Sequence, residues 1–196
     1  MNAQAIYEQL KQQFPESIEE TVLDVVDPHV FVKAADIAGV ARYLKETDGL
    51  AFDFLESISG VDTTEEVHLV YHLLSYKHRH SAVLKIRTTY EAMDIPTVSN
   101  VLKAANWHER EQFDLFGFNF LDHPDLRRLL LPEDWEGHPL RKSYEYPEEY
   151  HGIEHYRPDP KDQFKALDVL AAKAAAKVQE AKAAAEKATD DSDAPV

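Results

Sequence analysis

Ile6, Leu10 and Phe14 recur every four residues, which predicts a short amphipathic helix that Pro15 ends. Residues 21–26 and 30–33 read as two strands turning at Asp27-Pro28. Asp36 then stands as the cap of a second helix whose Ile37, Val40, Ala41 and Leu44 form one apolar stripe, with Gly49 after its end. Three more strand-like runs follow at 51–58, 66–76 and 81–89. In the middle run Val67, Leu69, Tyr71 and Leu73 alternate with His68, Val70 and His72, the period of a sheet with one drier face. A turn at 77–80 makes the last two runs an antiparallel pair. Pro96 opens a further helix with Val98, Val101, Leu102 and Ala105 on one side. Asn106 caps the next helix, Glu109 completes a capping box, and Gly117 closes a left-handed end.

These elements predict the α+β class: a two-layer sandwich of helices on a mostly antiparallel, mixed sheet within residues 1–120. Beyond Phe120 the periodicity stops. Pro124, Pro132, Pro139, Pro147, Pro158 and Pro160 punctuate a run of aromatic, basic and acidic residues, so 121–161 reads as an extended strap suited to lie along another surface. An irregular cap over its own domain is the alternative. Residues 162–196 predict an Ala-rich helix and a frayed acidic tail.

Charge narrows the partners. With 36 Asp and Glu against 21 Lys and Arg, the net charge of −15 repels phosphate backbones, and the longest basic cluster is KHRH at 77–80. No nucleic-acid partner is expected. The chain has no cysteine, which excludes disulfides and thiolate-ligated iron–sulfur or zinc sites. Its six glycines form no GxGxxG or phosphate loop, and no apolar run reaches membrane-spanning length. Among ten histidines, His151 and His155 flank Glu154 in HGIEH, which on a helix would set two imidazoles one turn apart. No third ligand accompanies them, so solvated or interface histidines are expected, with a metal hydrolase as the minor alternative.

The stretch EREQFDLFGFNFLDHPDLRRLL, residues 109–130, resembles the signature of the C subunit of type I NADH:quinone oxidoreductase (respiratory complex I), the thirty-kilodalton-subunit family. The likeness rests on Glu109, Arg110 and Glu111, then Asp114, Leu115 and Phe116, then His123 with Pro124, then Arg127 and Arg128 before Leu129 and Leu130. LPEDWEGHPLRK continues it through His138, Pro139, Arg141 and Lys142, and FDFLESISGVD at 52–62 resembles the strand before the family's central hairpin. Ser143 departs from the aspartate common in the family.

The resemblance spans about residues 30–150. It implies a hydrophilic, peripheral subunit of the quinone-reducing module on the cytoplasmic side of the bacterial inner membrane. Its expected partners are the large hydrogenase-like D subunit and the iron–sulfur B and I subunits. It also implies no catalytic, cofactor or metal residues in this chain: FMN and iron–sulfur clusters reside in other subunits, and NADH and quinone are substrates of the complex. An equivalent subunit of a membrane-bound hydrogenase or ferredoxin-using complex is the near alternative. Arg110 and Asp114 are spaced to pair along a helix. Spacing alone fits a solvated helix face, whereas the resemblance implies that Glu109, Glu111, His123, Arg127 and Arg128 serve a partner surface.

Overall fold

Alternation of buried and open positions makes residues Val67–Ser75 and His80–Thr88 the two long antiparallel strands at the middle of the fold. The computed structural model describes residues 2–154. Its main sheet contains β1 (Ile18–Val22), β2 (His29–Val32), β3 (Phe54–Asp62), β4 (Val67–Ser75) and β5 (His80–Thr88). The strand order is β1-β2-β5-β4-β3, antiparallel except where β2 meets β5. Helices α1 (Ala3–Gln13) and α2 (Ile37–Glu46) bury Ile6, Leu10, Ile37, Val40 and Leu44 in the same core as Leu69, Tyr71, Leu73, Leu84 and Ile86. The opposite face of the sheet is mixed, with buried Phe31 and Val70 among polar residues: Arg87 lies over Phe31 and pairs with Glu20 at 3.2 Å and Glu66 at 3.4 Å. This is the α+β, mixed-sheet class that the periodicities predict.

Several local expectations are corrected. The first strand lies at 18–22 rather than 21–26, and Val26 is 97% exposed in the turn that follows. The third starts at Phe54 because the chain before it folds back on α2: Ala51 takes a left-handed conformation and the Phe52 N–H donates to the Leu44 carbonyl. Asp36 makes no capping bond; it ends a 3-10 turn, Ala34–Asp36, that leads into α2. Residues 97–104 form separate turns, although Val98, Val101 and Leu102 are buried as a helix face would be. The partner is distant in sequence: Lys45 Nζ donates to the Val101 carbonyl that a continuous helix would give to Ala105, and the Ala105 N–H turns to the Leu102 carbonyl instead.

Strand β6 (Asp94–Pro96), helix α3 (Ala105–Phe116) and strand β7 (Asn119–Leu121) follow in order, β6 and β7 pairing in parallel. Ala104 holds the cap position of α3 with no side-chain bond, so the Asn106 capping box does not form. Gly117 ends the helix as expected, at φ +81°. Helix α3 also closes the open edge of β3. Gln112 Oε1 accepts the Gly60 N–H at 2.7 Å and its Nε2 donates to the Ile58 carbonyl at 3.0 Å, so one carboxamide pairs with the strand as a neighbouring peptide would. A Cβ on Gly60 would lie 2.7 Å from the Phe116 ring. Gly60→Ala is therefore expected to cost about 1–3 kcal/mol in urea unfolding by pushing α3 off the edge.

The first compact unit continues past residue 120 to Glu145. In the second, β8 (Glu149–Tyr150) and β9 (Ile153–Glu154) form a small hairpin whose turn residues His151 and Gly152 both have positive φ. Residues 151–154 are thus not helical, and His155 and the Ala-rich segment at 162–196 lie outside the described residues. None of the described helices is long and apolar enough to cross a membrane.

Candidate functional site

Four polar side chains of α3, Glu109, Arg110, Gln112 and Asp114, are buried. A helix end leaves its last carbonyls without intrahelical donors, and here residues 127–142 supply what is missing. The Leu140 N–H donates to the Leu115 carbonyl at 3.1 Å and Arg141 Nε to the Phe116 carbonyl at 2.6 Å. His138 Nδ1 donates to the Asp114 carbonyl at 2.9 Å. The Arg141 guanidinium also sits at the negative end of the helix dipole.

Asp114 is the hub. Its Oδ2 accepts the N–H groups of Leu129, Leu130 and Leu131 at 3.0, 2.7 and 2.8 Å, and its Oδ1 takes Arg128 Nη1 at 2.8 Å. Burial works to raise its pKa, but the three N–H groups and the guanidinium outweigh it and hold the carboxyl below its usual range. Arg128 further donates to the carbonyls of Trp135 and Gly137. Arg110 does not pair with Asp114. It donates through Nε to the Arg127 carbonyl and through Nη2 to that of Arg128, both at 3.2 Å, and lies over the Trp107 ring. Burial lowers the His138 pKa, the neighbouring Arg141 and Arg128 adding to that effect.

A second anchor crosses back to β3. Asp62 accepts the Tyr90 hydroxyl and, at 2.6 Å, the Lys142 N–H. Burial again opposes ionisation, yet these bonds hold the Asp62 carboxyl low. The bond to Asp62 in turn raises the Tyr90 phenol above its usual range, with Ser143 opposing the shift.

Glu109 occupies a different environment. Its Oε1 accepts the Val98 N–H at 2.7 Å, and Oε2 accepts the Thr97 hydroxyl. His123 Nε2 lies 3.7 Å away. Both nitrogens of that ring are engaged by the backbone, Nδ1 accepting the Asp125 N–H and Nε2 donating to the Asn106 carbonyl. With no cation to offset it, burial raises the Glu109 pKa to about 7. The phenol of Tyr71, buried beside it, is raised well above its usual value, by burial first and the Glu109 charge second.

The sequence-derived site residues therefore divide. Glu109, Arg110, Asp114 and Phe116 are buried; Glu111, Leu115, His123, Arg128, His138, Pro139 and Arg141 are half-buried; Pro124, Arg127 and Lys142 are exposed. Arg127 turns outward and pairs with Asp125. Sequence reasoning missed Gln112, Thr97 and Tyr90; only the position of Gln112 inside the quoted signature marks it. Among the described residues no three His, Asp or Glu side chains converge as a metal site.

Comparison with known proteins gives the arrangement a context. Residues 30–150 match the family described as respiratory-chain NADH dehydrogenase, 30 Kd subunit. The C subunit of NADH-quinone oxidoreductase from Roseiflexus sp. (strain RS-1) is 40% identical over 140 residues, covering 70% of this chain and 80% of that protein. The C/D subunit of NADH-quinone oxidoreductase from Acinetobacter baylyi is 38% identical over 150 residues, covering 71% of this chain and 25% of that protein. Among solved structures, a chain of the membrane-bound sulfane sulfur reductase, an archaeal respiratory membrane complex, superposes with a TM-score of 0.63 at 25% identity, covering 80% of this chain and 96% of that one.

Proposed function

We propose, from the premise that this chain belongs to the respiratory-chain NADH dehydrogenase 30 Kd subunit family, that it is a structural subunit of the quinone-reducing module. Within NADH:quinone oxidoreductase it holds no cofactor. Electrons pass from NADH through FMN and iron–sulfur clusters in other subunits to quinone. The observation that carries this reading is the use of the signature: its buried ionisable side chains, Glu109, Arg110 and Asp114, with Arg128, are spent on fixing α3 and the strap, an arrangement suited to presenting a rigid surface rather than to chemistry. The absence of cysteine from the chain agrees.

The D subunit is the first partner proposed, supported by the relative in Acinetobacter baylyi whose name joins C and D in one protein. The iron–sulfur B and I subunits follow as neighbours in the same module, at the cytoplasmic side of the membrane. A second reading, the equivalent subunit of a complex with another electron donor, is favoured by the likeness to the sulfane sulfur reductase chain.

Affinity purification through a tag on this chain, from detergent-solubilised membranes of its native host, tests the reading. Co-isolation of NADH:quinone reductase activity is expected, while the separately expressed chain carries no flavin or iron–sulfur absorbance. A complex that accepts electrons from ferredoxin or sulfane sulfur but not NADH would select the second reading. A stoichiometric chromophore on the isolated chain would overturn the cofactor-free role.

A further inference from the structure

Between the edge strand β3 and the outer face of α3 runs a groove of about 320 Å³. Ile58, Leu115, Phe116 and Leu140 supply its apolar lining, and Ser57, Ser59, His108 and Glu111 its polar lining. Glu111 is the one acid of helix α3 that the network leaves unused: among the described residues it has neither a hydrogen bond nor an ion pair. The nearby cations are engaged, Arg110 by two strap carbonyls, Arg128 by Asp114 and Arg141 by the end of α3. Leu140, which lines the groove, is 49% exposed.

We infer that this groove receives a lysine or arginine side chain from a neighbouring subunit, its aliphatic stem on Leu115 and Leu140 and its charged head on Glu111. The inference rests on the subunit role proposed above. Chemistry selects the occupant. An apolar side chain would strip water from Glu111 and leave the charge unpaired, and an acidic one would face it directly. A long cationic side chain matches both halves of the groove, and the serine hydroxyls can accept the remaining N–H groups. The charge of the whole chain, −15, favours a basic partner surface in the same sense.

Two variants and one crosslink test this in the membrane complex. Glu111→Lys reverses the charge, and Ser59→Trp fills the groove from an exposed position without altering charge. Each is expected to lower the amount of this chain in the purified complex by about tenfold or more, with the melting temperature of the full chain changed by less than about 3 °C. A benzoylphenylalanine photoprobe at position 59 is expected to crosslink another subunit of the complex beside a Lys or Arg. If Glu111→Lys also melts early, Ser59→Trp and the crosslink decide.

Normal incorporation of Ser59→Trp, a crosslink to a segment with no nearby cation, or a crosslink within this chain or to a second copy overturns the proposal while leaving the subunit role standing. A wild-type chain absent from every oxidoreductase complex would instead remove the subunit role, and this proposal with it.

Discussion

Asp114→Ala is expected to detach the strap from α3 and destabilise the full chain by about 3–5 kcal/mol, the cost of breaking a buried ion pair from one side. Four donors converge on that carboxylate: the Arg128 guanidinium and the N–H groups of Leu129, Leu130 and Leu131. Alanine would leave the N–H groups unsatisfied and the guanidinium without its counter-charge. Urea unfolding measures the loss, and limited proteolysis should show new cleavage within 128–141. Arg128→Glu should behave alike, since its side chain is 18% exposed and reaches the same carboxylate. Arg127→Glu supplies the contrast: its pair with Asp125 is exposed on both sides, at 66% and 51%, and should cost less than about 1 kcal/mol. Equal effects at 127 and 128 would contradict the placement of the network. Because the folded Asp114 carboxyl is held below its ordinary value of 3.8, its contribution is present above that pH and lost as pH falls through the folded value.

Glu109→Gln is expected to act in the opposite direction at neutral and alkaline pH. The folded carboxyl titrates at about 7 against an ordinary value of 4.5. A group raised in this way stabilises the fold fully below the unfolded value, and its contribution is lost as pH rises through the folded one. The wild-type chain should therefore lose stability between pH 4.5 and 7, by on the order of 3 kcal/mol in total at about 1.4 kcal/mol per pH unit. Glutamine resembles the protonated acid: its oxygen can accept the Val98 N–H and its amide can donate to the Thr97 hydroxyl. Of the other groups facing the site, the Tyr71 phenol does not ionise in this range, since its pKa is raised well above 10.0. The His123 ring is fixed by backbone bonds on both nitrogens. Denaturant midpoints measured from pH 4 to 8 for both proteins check this. Parallel curves would mean that Glu109 is not the titrating group.

The sheet is legible in the sequence because its core face repeats every second residue, and burial imposes that repeat directly. Residues 97–105 show the limit of the same reasoning. Val98, Val101, Leu102 and Ala105 have helical spacing and are buried, but a lysine 56 residues away in sequence takes the carbonyl on which helical continuity depends. The signature misleads for a related reason. Glu109 sits where a capping acid would, and Arg110 precedes Asp114 by one helical turn, so local partners suffice to explain both. Their actual partners are a turn before the helix and a strap after it, and nothing in the spacing of charges reveals those distances. Composition separates the proline-rich strap from the periodic elements, but a break in periodicity does not say which surface such a segment covers.

The capping of α3 from residues 127–142 also sets an order in time. When Phe116 leaves the ribosome, the groups that will satisfy the end of its helix are still enclosed in the exit tunnel. Lys142, which ties back to Asp62 across 80 positions, is later still. At about 5–20 residues per second the sheet and α3 wait a second or more for their closing segment. Contacts formed after the main barrier scarcely change the folding rate and chiefly slow unfolding. A strap that docks last is therefore expected to act as a kinetic latch: variants that loosen it, such as Asp114→Ala, should unfold faster while refolding at close to the wild-type rate.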